Sequence, residues 1–403
     1  MRPNTNSTCL MQSFFSRNCV NGLPRKKEGK SQFSGENNMK NNRYPVYRIT
    51  KKDLFRAGKI LRDDYNTLPS TEWNNAYDLL GKWRVMHAYP LNTFQANIRS
   101  VLKRLHLDSK AIIAQRLKRL PSILSKLNRF PHMRMERMQD IGGIRIILPS
   151  IDDVYNVSNF LKSLKWKHVL CREKDYIKEP QNSGYRSIHL IYKYNNAQAP
   201  SEFQGLYVEI QIRTRLQHVW ATAVETIGTF IEHSLKSSQG PQEWLDYLKL
   251  ASVVLAIEEG TQLPSGFKTN ASFLVQQLHA QTINLNAFSM LDTFHRAVRF
   301  NEARKFKNKY ILLQLDVANN IGFAWTFNQN ELAKANNAYG QFEKERIRNR
   351  DAVLVSSSSL SDLRKAYPNY FNDASSFIKQ LSKIFKKYNL PEISIPNTYS
   401  GDK

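Results

Sequence analysis

The sequence Leu-Tyr-Val-Glu-Ile-Gln-Ile-Arg-Thr occupies residues 206–214 and alternates apolar with polar side chains. Successive side chains of a strand point to opposite faces, so this alternation predicts a β-strand with one apolar and one polar face. Glu209, Gln211 and Arg213 share the polar face. An ordinary half-buried strand with a solvated face has the same pattern, so the stretch becomes a candidate site only in combination with others.

A second segment, Gly-Tyr-Arg-Ser-Ile-His at residues 184–189, also has the pattern of a strand. Its alternation predicts that Tyr185, Ser187 and His189 share one face. An aromatic ring beside a hydroxyl and an imidazole can stack on a nucleobase and form hydrogen bonds with it. Taken alone, the segment is more typical of a tyrosine and a histidine packed on a sheet surface.

A third segment, Asp-Ile-Gly-Gly-Ile-Arg-Ile-Ile at residues 140–147, combines an acid, a glycine pair and a cation. Glycines in a strand allow a ligand to approach the backbone closely, which makes Asp140 and Arg145 candidates. Strict alternation puts Asp140 on the apolar face, so either the strand starts after the glycines or Gly142–Gly143 forms a bulge. Alternatively, Asp140 is a turn residue and the glycine pair a simple bend.

The fourth segment is a basic stretch. Residues 98–140 contain eleven Lys and Arg against three acids, a local net charge of +8, although a charge run is usually a solvated face. Lys118, Ser122 and Lys126 recur every four residues and would align on a helix. Pro121 favours instead a helix that begins there, with Lys118 just before its N-terminus, a favourable place for phosphate.

The whole composition limits the classes of partner. Among 403 residues, 59 Lys and Arg outnumber 34 Asp and Glu, and the net charge of +25 points to nucleotides, polyphosphates or nucleic acid. A hydrophobic content of 41% is that of a globular chain. No apolar run reaches the roughly 18 residues of a membrane-spanning helix, and three cysteines are too few for a disulfide framework or a zinc cluster. We therefore expect a cytoplasmic protein that does not enter a membrane.

Patterning divides the chain into four parts and predicts an α+β fold. Residues 1–45 are polar and lack periodicity, which predicts a disordered leader, and residues 46–97 have helical periodicity. Residues 98–258 alternate helices with strands. After a composition break at residues 260–266, residues 267–403 predict a small C-terminal α+β domain of unknown role.

The periodicities also predict individual elements, and no strand is predicted between residues 110 and 140. The predicted strands cover residues 144–148, 166–177, 185–194, 206–214, 310–316, 322–327 and 352–356. The predicted helices beyond the N-terminal region cover residues 152–164, 215–236, 244–257, 330–348 and 360–387.

In their order and spacing, the four segments resemble the synthetase domain of RelA/SpoT proteins, the guanosine penta- and tetraphosphate (alarmone) synthetases. The resemblance covers about residues 98–235. It is carried by Arg116-Leu-Lys118 with Ser122, Ile123 and Lys126, by Asp140-Ile-Gly-Gly-Ile-Arg145, by Gly184-Tyr-Arg-Ser-Ile-His189 and by Glu209-Ile-Gln-Ile-Arg-Thr214.

The resemblance implies a nucleotidyltransferase-like mixed sheet flanked by helices. It also implies a reaction, the transfer of pyrophosphate from ATP to the ribose 3′-hydroxyl of GTP or GDP with release of AMP, which makes (p)ppGpp in the stringent response. By position, the implied ATP-binding residues are Arg116, Lys118, Ser122, Lys126 and Arg145. The implied acceptor-binding residues are Tyr185, Ser187, His189, Gln211 and Arg213. Asp140 and Glu209 are the implied catalytic residues and Mg²⁺ ligands, with Glu209 as the base.

Two departures from the family's pattern concern the acceptor. Pro180-Gln-Asn-Ser183 stands where the family commonly has Pro-Lys-x-Asn, which removes a positive charge, and Thr222 stands where it commonly has Glu. The acceptor therefore stays open between GTP or GDP and, as in toxic relatives, the 3′ end of tRNA. A catalytically silent nucleotide-sensing module is a third interpretation, which the intact Asp140 and Glu209 disfavour. Whether the chain forms a homo-oligomer is open as well.

Overall fold

The N-terminal region is helical, as its periodicity predicts. In the computed structural model of this chain, α1 spans Lys51–Asp63, α2 spans Thr71–Met86 and α3 spans Ala88–Arg104. The Ser70 hydroxyl caps α2 by accepting a hydrogen bond of 3.0 Å from the Trp73 backbone N–H. This bond satisfies one of the N–H groups that the first turn of a helix leaves without a partner.

The structure describes residues 44–63, 70–230, 240–264, 266–267, 270–289, 291, 299–300, 309–316, 321–328, 331–344, 350–357 and 374–394. Most of the predicted leader, residues 1–43, lies outside these ranges. Parts of three predicted helices, residues 231–236, 330 with 345–348, and 360–373, lie outside them as well. None of the helices within these ranges is both long and apolar enough to cross a bilayer.

Five strands form the mixed sheet at the centre of the fold. They are β1 (Ile112–Leu117), β2 (Gly142–Leu148), β3 (Val169–Asp175), β4 (Ile188–Lys193) and β5 (Tyr207–Thr214), in the order β3-β4-β5-β2-β1. β2 and β5 run parallel, whereas the other neighbours run antiparallel. The predicted α+β class with a mixed sheet is confirmed.

One face of this sheet is apolar and covered by helices. The helices that follow α3 are α4 (Leu120–Arg129), α5 (Ile151–Ser163), α6 (Arg215–Phe230), α7 (Gln242–Glu259) and α8 (Ala271–Asn284). Ile144 and Ile146 of β2 and Ile210 of β5 share one core with Phe94 of α3 and Val154 of α5. Because alternate residues of a strand point to opposite faces, the polar side chains of β2 and β5 lie on the other face of the sheet.

β1 is a strand that the sequence pattern does not predict. Its apolar residues at positions 112–114 are followed by Gln115 and Arg116, so the run is too short to stand out from the surrounding basic stretch. Its backbone nevertheless pairs with β2 over its whole length. Pairing with a neighbouring strand, rather than local pattern, therefore determines β1.

The glycine pair at the start of β2 also differs from the prediction. Gly142 and Gly143 lie inside the strand and pair in regular register with β1 and β5, while Asp140 precedes the strand. Both alternatives, a strand that starts after the glycines and a bulge, are wrong. A Cβ on Gly142 would lie 3.2 Å from Leu91 Cγ and 3.3 Å from His87 Cβ, so this glycine lets α3 pack closely on the strand.

The strand predicted at residues 185–194 starts later, at Ile188. The expectation that Tyr185, Ser187 and His189 share one strand face is therefore wrong, because the first two belong to the loop before β4. Gly184 has a φ of +90°, a conformation that glycine tolerates and other residues rarely adopt. The turn at Gly184 therefore precedes the loop half of the motif, and the strand half begins at Ile188.

The C-terminal strands continue the same sheet. They are β6 (Arg299–Phe300), β7 (Lys309–Asp316), β8 (Ile321–Phe327) and β9 (Arg350–Ser357), and the full order is β3-β4-β5-β2-β1-β9-β7-β8-β6. β9 pairs antiparallel with β1 and thereby joins the two parts. The helix α9 (Leu332–Lys344) packs against these strands, whereas α10 (Ser375–Lys387) shares a core with α6, α7 and α8. The three strands predicted in the C-terminal part are confirmed, while the boundaries of a separate domain stay a prediction.

A buried ion pair ties α7 to the loop before β4. Arg186 Nη1 donates to the Glu259 carboxylate, and the two side chains are only 1% and 5% exposed. Glu259 also accepts hydrogen bonds from the Thr214 hydroxyl at the end of β5 and from Gln217 Nε2. One carboxylate therefore fixes the end of α7 against two segments that carry candidate site residues.

Arg186→Met is expected to lower the free energy of unfolding by about 3–5 kcal/mol, because it leaves the Glu259 carboxylate buried without its cation. Urea unfolding followed by circular dichroism measures the change. The matched control is Lys387→Met, which breaks the pair between Lys387 and the neighbouring Glu258. Because Lys387 is 61% exposed, the control should change stability far less. Equal losses in the two variants would contradict the role given to the buried pair.

Candidate active site

A polar cleft lies on the face of the sheet opposite α3 and α5. Its lining consists of Arg116, Lys118, Asp140, Gly143, Ile144, Arg145, Glu209 and Gln211. Six of these eight residues are predicted site residues, and they come from three of the four sequence segments. The fold therefore gathers cations, carboxylates and an amide that lie up to about ninety residues apart in the chain.

Strand register explains why these distant residues meet. In the neighbouring strands β1, β2 and β5, Arg116 pairs with Gly143, and Gly143 pairs with Glu209. Directly paired residues point to the same face of a sheet, so a cation and a carboxylate flank a glycine in one row. Because Gly143 has no side chain, the middle of this row stays open to a ligand.

Two lysines hold the Asp140 carboxylate at one side of the cleft. Lys118 Nζ lies 2.8 Å from Oδ2, and Lys126 Nζ lies 3.1 Å from each carboxylate oxygen. The helix begins at Leu120 with Pro121 in its first turn, so Lys118 lies before the helix and Lys126 within it. Burial raises the pKa of Asp140, but the two lysines outweigh burial and hold that pKa well below its usual value. The carboxylate is therefore ionised at neutral pH.

A chain of hydrogen bonds ends at the Glu209 carboxylate on the other side of the cleft. The Tyr185 hydroxyl lies 2.8 Å from His189 Nε2, and His189 Nδ1 lies 3.1 Å from Glu209 Oε1. Gln211 Nε2 donates to the second carboxylate oxygen at 2.8 Å. Burial lowers the pKa of His189, but Tyr185 and Glu209 outweigh burial and raise that pKa to about 9.

The contact between His189 and Glu209 fixes the charge of both groups. Burial raises the pKa of Glu209, but the charge and hydrogen bond of His189 outweigh burial and lower it. At neutral pH His189 is therefore protonated and Glu209 is ionised. The sequence motifs do not reveal this contact because the two residues lie in different segments. The feature that could have indicated the contact is the register of β4 and β5, in which His189 pairs with Gln211, two residues from Glu209.

Six of the twelve predicted site residues are not part of the cleft lining. Three of them, Lys126, Tyr185 and His189, reach the lining carboxylates through the contacts described above, and the other three do not. Ser187 is fully buried and donates a hydrogen bond of 3.0 Å to the Ile212 backbone oxygen. Arg213 is buried with Nη2 at 2.8 Å from His218 Nδ1, and burial lowers the pKa of this arginine to about 9. Ser122 lies in the first turn of α4. The roles of these three in nucleotide binding stay predictions.

The donors in the cleft suit a magnesium ion. Asp140 and Glu209 both line it, and Mg²⁺ is usually bound by one or two carboxylates together with substrate phosphates and water. Within the described ranges, no three His, Cys, Asp or Glu side chains come together as a metal cage. A site completed by a ligand's phosphates, rather than an all-protein site, therefore fits these residues.

The His189–Glu209 pair predicts a specific pH dependence of stability. The pKa of His189 is raised from 6.5 to about 9 in the folded chain, so the stabilisation is full below pH 6.5 and is lost as pH rises toward 9. The stabilisation lost over this pH range is on the order of 3 kcal/mol. Urea unfolding of wild type and His189→Gln across this pH range measures it, and the variant should lack the loss.

The matched control for this pH experiment is His168→Gln. Burial lowers the pKa of His168, so this variant should keep the loss of stability between pH 6.5 and about 9. If His189→Gln showed the same decline with pH as wild type, the protonated state given to His189 would be wrong.

Comparison with known proteins identifies the segment that builds the cleft. The family model described as "Region found in RelA / SpoT proteins" matches residues 115–230, which contain all the predicted site residues. The chain is 40% identical over 125 residues to the GTP pyrophosphokinase YjbM of Bacillus subtilis, a match that covers 30% of this chain and 54% of the relative. It is 33% identical over 144 residues to the GTP pyrophosphokinase YwaC of the same organism, with 34% and 65% covered. The chain thus spans between half and two thirds of the length of these curated relatives.

Solved structures of similar chains include the small alarmone synthetase 1 from Bacillus subtilis, at 28% identity, with 44% of this chain and 90% of that chain covered and a TM-score of 0.38. The same synthetase bound to its product pppGpp is 32% identical, with 43% and 86% covered and a TM-score of 0.35. Its complex with AMPCPP is 25% identical, with 43% and 90% covered and a TM-score of 0.34. The family model thus matches the part of the chain that forms the cleft, so residues 115–230 are similar to the region found in RelA/SpoT proteins.

Proposed function

We propose that this chain transfers the terminal pyrophosphate of ATP to the ribose 3′-hydroxyl of GTP or GDP and releases AMP. The observation that carries the proposal is a single cleft whose lining combines the cations Arg116, Lys118 and Arg145 with the carboxylates Asp140 and Glu209. Transfer of a phosphoryl-type group needs mainly positioning and electrostatic stabilisation from a protein. The match of the same residues to the RelA/SpoT family supports this reaction.

In this proposal the cations bind the phosphates of ATP, with Ser122 assisting from the start of α4. Lys118 and Lys126 both contact Asp140. Phosphate oxygens can replace the carboxylate as partners of the two lysines, because charge-assisted bonds to phosphate are strong. The exchange frees Asp140, which together with Glu209 would hold Mg²⁺. The bound ion would neutralise phosphate charge and orient the reacting groups.

Glu209 acts as the base in the transfer. It is ionised because His189 holds its pKa low, so it can accept the proton of the 3′-hydroxyl. The 3′-oxygen then forms a bond to the β-phosphorus of ATP. The bond from that phosphorus to the α,β-bridging oxygen breaks, and AMP leaves with the electron pair. Arg116 and Lys118 offset the negative charge that develops on the phosphate oxygens.

The acceptor guanine binds beside Tyr185 and His189, on the Glu209 side of the cleft. The Tyr185 ring is only 8% exposed and lies edge-on to His189, with ring centroids 5.6 Å apart at 82°. Stacking on a guanine therefore requires this ring to move and to loosen its hydrogen bond with His189. Gln211 is available at the cleft surface, whereas Ser187 and Arg213 support the pocket from beneath it.

A tRNA 3′ end is the alternative acceptor, which the net charge of +25 favours. A terminal ribose of RNA also presents a hydroxyl to the base, so the ATP side of the proposal is the same for both acceptors. The two candidate functions differ only in which acceptor receives the pyrophosphate, and a direct comparison of acceptors separates them.

Glu209→Gln is expected to lower the turnover of ATP to AMP by about 10²–10⁴-fold, because the amide cannot accept the proton of the attacking hydroxyl. Binding of AMPCPP, measured by calorimetry, should stay close to that of wild type, since the cations that hold the phosphates are unchanged. The measurement is AMP release in the presence of Mg²⁺ and GDP.

The matched control is Glu173→Gln, which makes the same chemical change on β3, where Glu173 pairs with Lys162 on the surface. It should turn over at the wild-type rate. Near-wild-type turnover by Glu209→Gln, or an equal loss of turnover in the control, would contradict the role of Glu209 as the base.

A further inference from the structure

The C-terminal strands and α9 lie outside the segment that matches the RelA/SpoT family, yet they pack against its ATP side. β9 pairs with β1 through Arg116 with Val355 and Gln115 with Ser356. The strand that carries Arg116 is therefore held on both sides, by β2 and by β9. A strand with two neighbours has less freedom to shift than an edge strand, so the C-terminal part constrains one of the predicted ATP-binding residues.

Tyr339 of α9 reaches the segment that leads into α4. The Tyr339 side chain is fully buried, and its hydroxyl oxygen accepts a hydrogen bond of 3.2 Å from the Leu120 backbone N–H. Leu120 is the first residue of α4, and its N-cap Arg119 makes no side-chain cap bond. The first N–H groups of a helix lack partners within the helix, so Tyr339 acts as a cap supplied from more than two hundred residues away.

The Tyr339 ring also holds the residue that fixes Lys118. The Arg84 guanidinium lies over the ring at 4.1 Å from its centroid, and Arg84 Nε donates to the Lys118 backbone oxygen at 2.6 Å. Lys118 in turn contacts Asp140. One tyrosine thus supports residues 118 and 120, on either side of Arg119 where β1 leads into α4, directly at Leu120 and through an arginine at Lys118.

Apolar packing joins the same elements. Leu332 and Tyr339 of α9 share a core with Ile123, Leu124 and Leu127 of α4. These α4 residues lie on the helix that carries Lys126, so the C-terminal part also fixes how that lysine is presented to the cleft. Backbone pairing, a helix cap and a common core all act on the ATP side, which is the side with Arg116 and the two lysines.

We propose that Tyr339 is a positioning residue for ATP binding, through which the C-terminal part of the chain completes the ATP side of the cleft. The proposal rests on the proposed function in that it takes ATP as the ligand of this side. It predicts that Tyr339→Phe, which removes only the hydroxyl that caps α4, weakens binding of AMPCPP about threefold to tenfold. The KM of the acceptor nucleotide should not change, because its side of the cleft is built by β4 and β5.

The experiment measures AMPCPP affinity by calorimetry, the KM values of ATP and GDP, and Tm, for wild type and two variants. Tyr310→Phe is the matched control, because Tyr310 is a buried tyrosine of β7 in the same core. Weaker AMPCPP binding and a higher KM for ATP in Tyr339→Phe alone, with the KM of GDP unchanged, would support the proposal. Hydrogen exchange adds a direct readout, since the Leu120 amide should exchange faster in Tyr339→Phe than in the control.

Equal AMPCPP affinity in the two variants would overturn the positioning role and leave the proposed function intact. A similar rise in the KM of ATP and of GDP would also overturn it. So would a loss of AMPCPP affinity that follows the fall in Tm in both variants, since either result indicates that Tyr339 only stabilises the fold. Failure of the wild-type chain to bind AMPCPP would overturn the proposed function and this inference together.

Discussion

The register of β1, β2 and β5 is the constraint on which the candidate site depends. Ile144, Ile146 and Ile210 are buried against α3 and α5, and a slip of one residue would turn these side chains to the opposite face. The cost of exposing them fixes the register. The same register puts Arg116, Gly143 and Glu209 in one row on the polar face. Hydrophobic burial on one side of the sheet therefore determines which charged groups meet on the other.

Three carboxylates, two partly buried and one fully buried, each have a cation beside them. Asp140 has two lysines, Glu209 has His189 and Glu259 has Arg186. The first two face the cleft, where a phosphate can take over the cations or a hydroxyl can deliver a proton. The third pair is not part of the cleft lining, and it joins α7 to the loop before β4. The same kind of ion pair thus lies at the candidate site in two places and joins parts of the fold in the third.

The sequence predicts the elements whose pattern is local. The alternation around Glu209 predicts β5 correctly, and Pro121 predicts the start of α4, because side-chain alternation and helix entry depend on neighbouring residues. β1 and the loop position of Tyr185 depend instead on partners far along the chain, and the pattern misses both. The contact of Tyr339 with Leu120 spans more than two hundred residues, so no motif could indicate it.

Incubation of the wild-type chain with Mg²⁺ and γ-labelled ATP, with GTP, GDP or bulk tRNA in separate reactions, shows which acceptor receives the pyrophosphate. Because the transferred group carries the γ-phosphate, the label must follow it to the acceptor. We expect labelled guanosine tetra- or pentaphosphate together with AMP, and no label on tRNA. Label on tRNA alone would contradict the proposed transfer to GTP or GDP. So would reactions that release no AMP and label no acceptor.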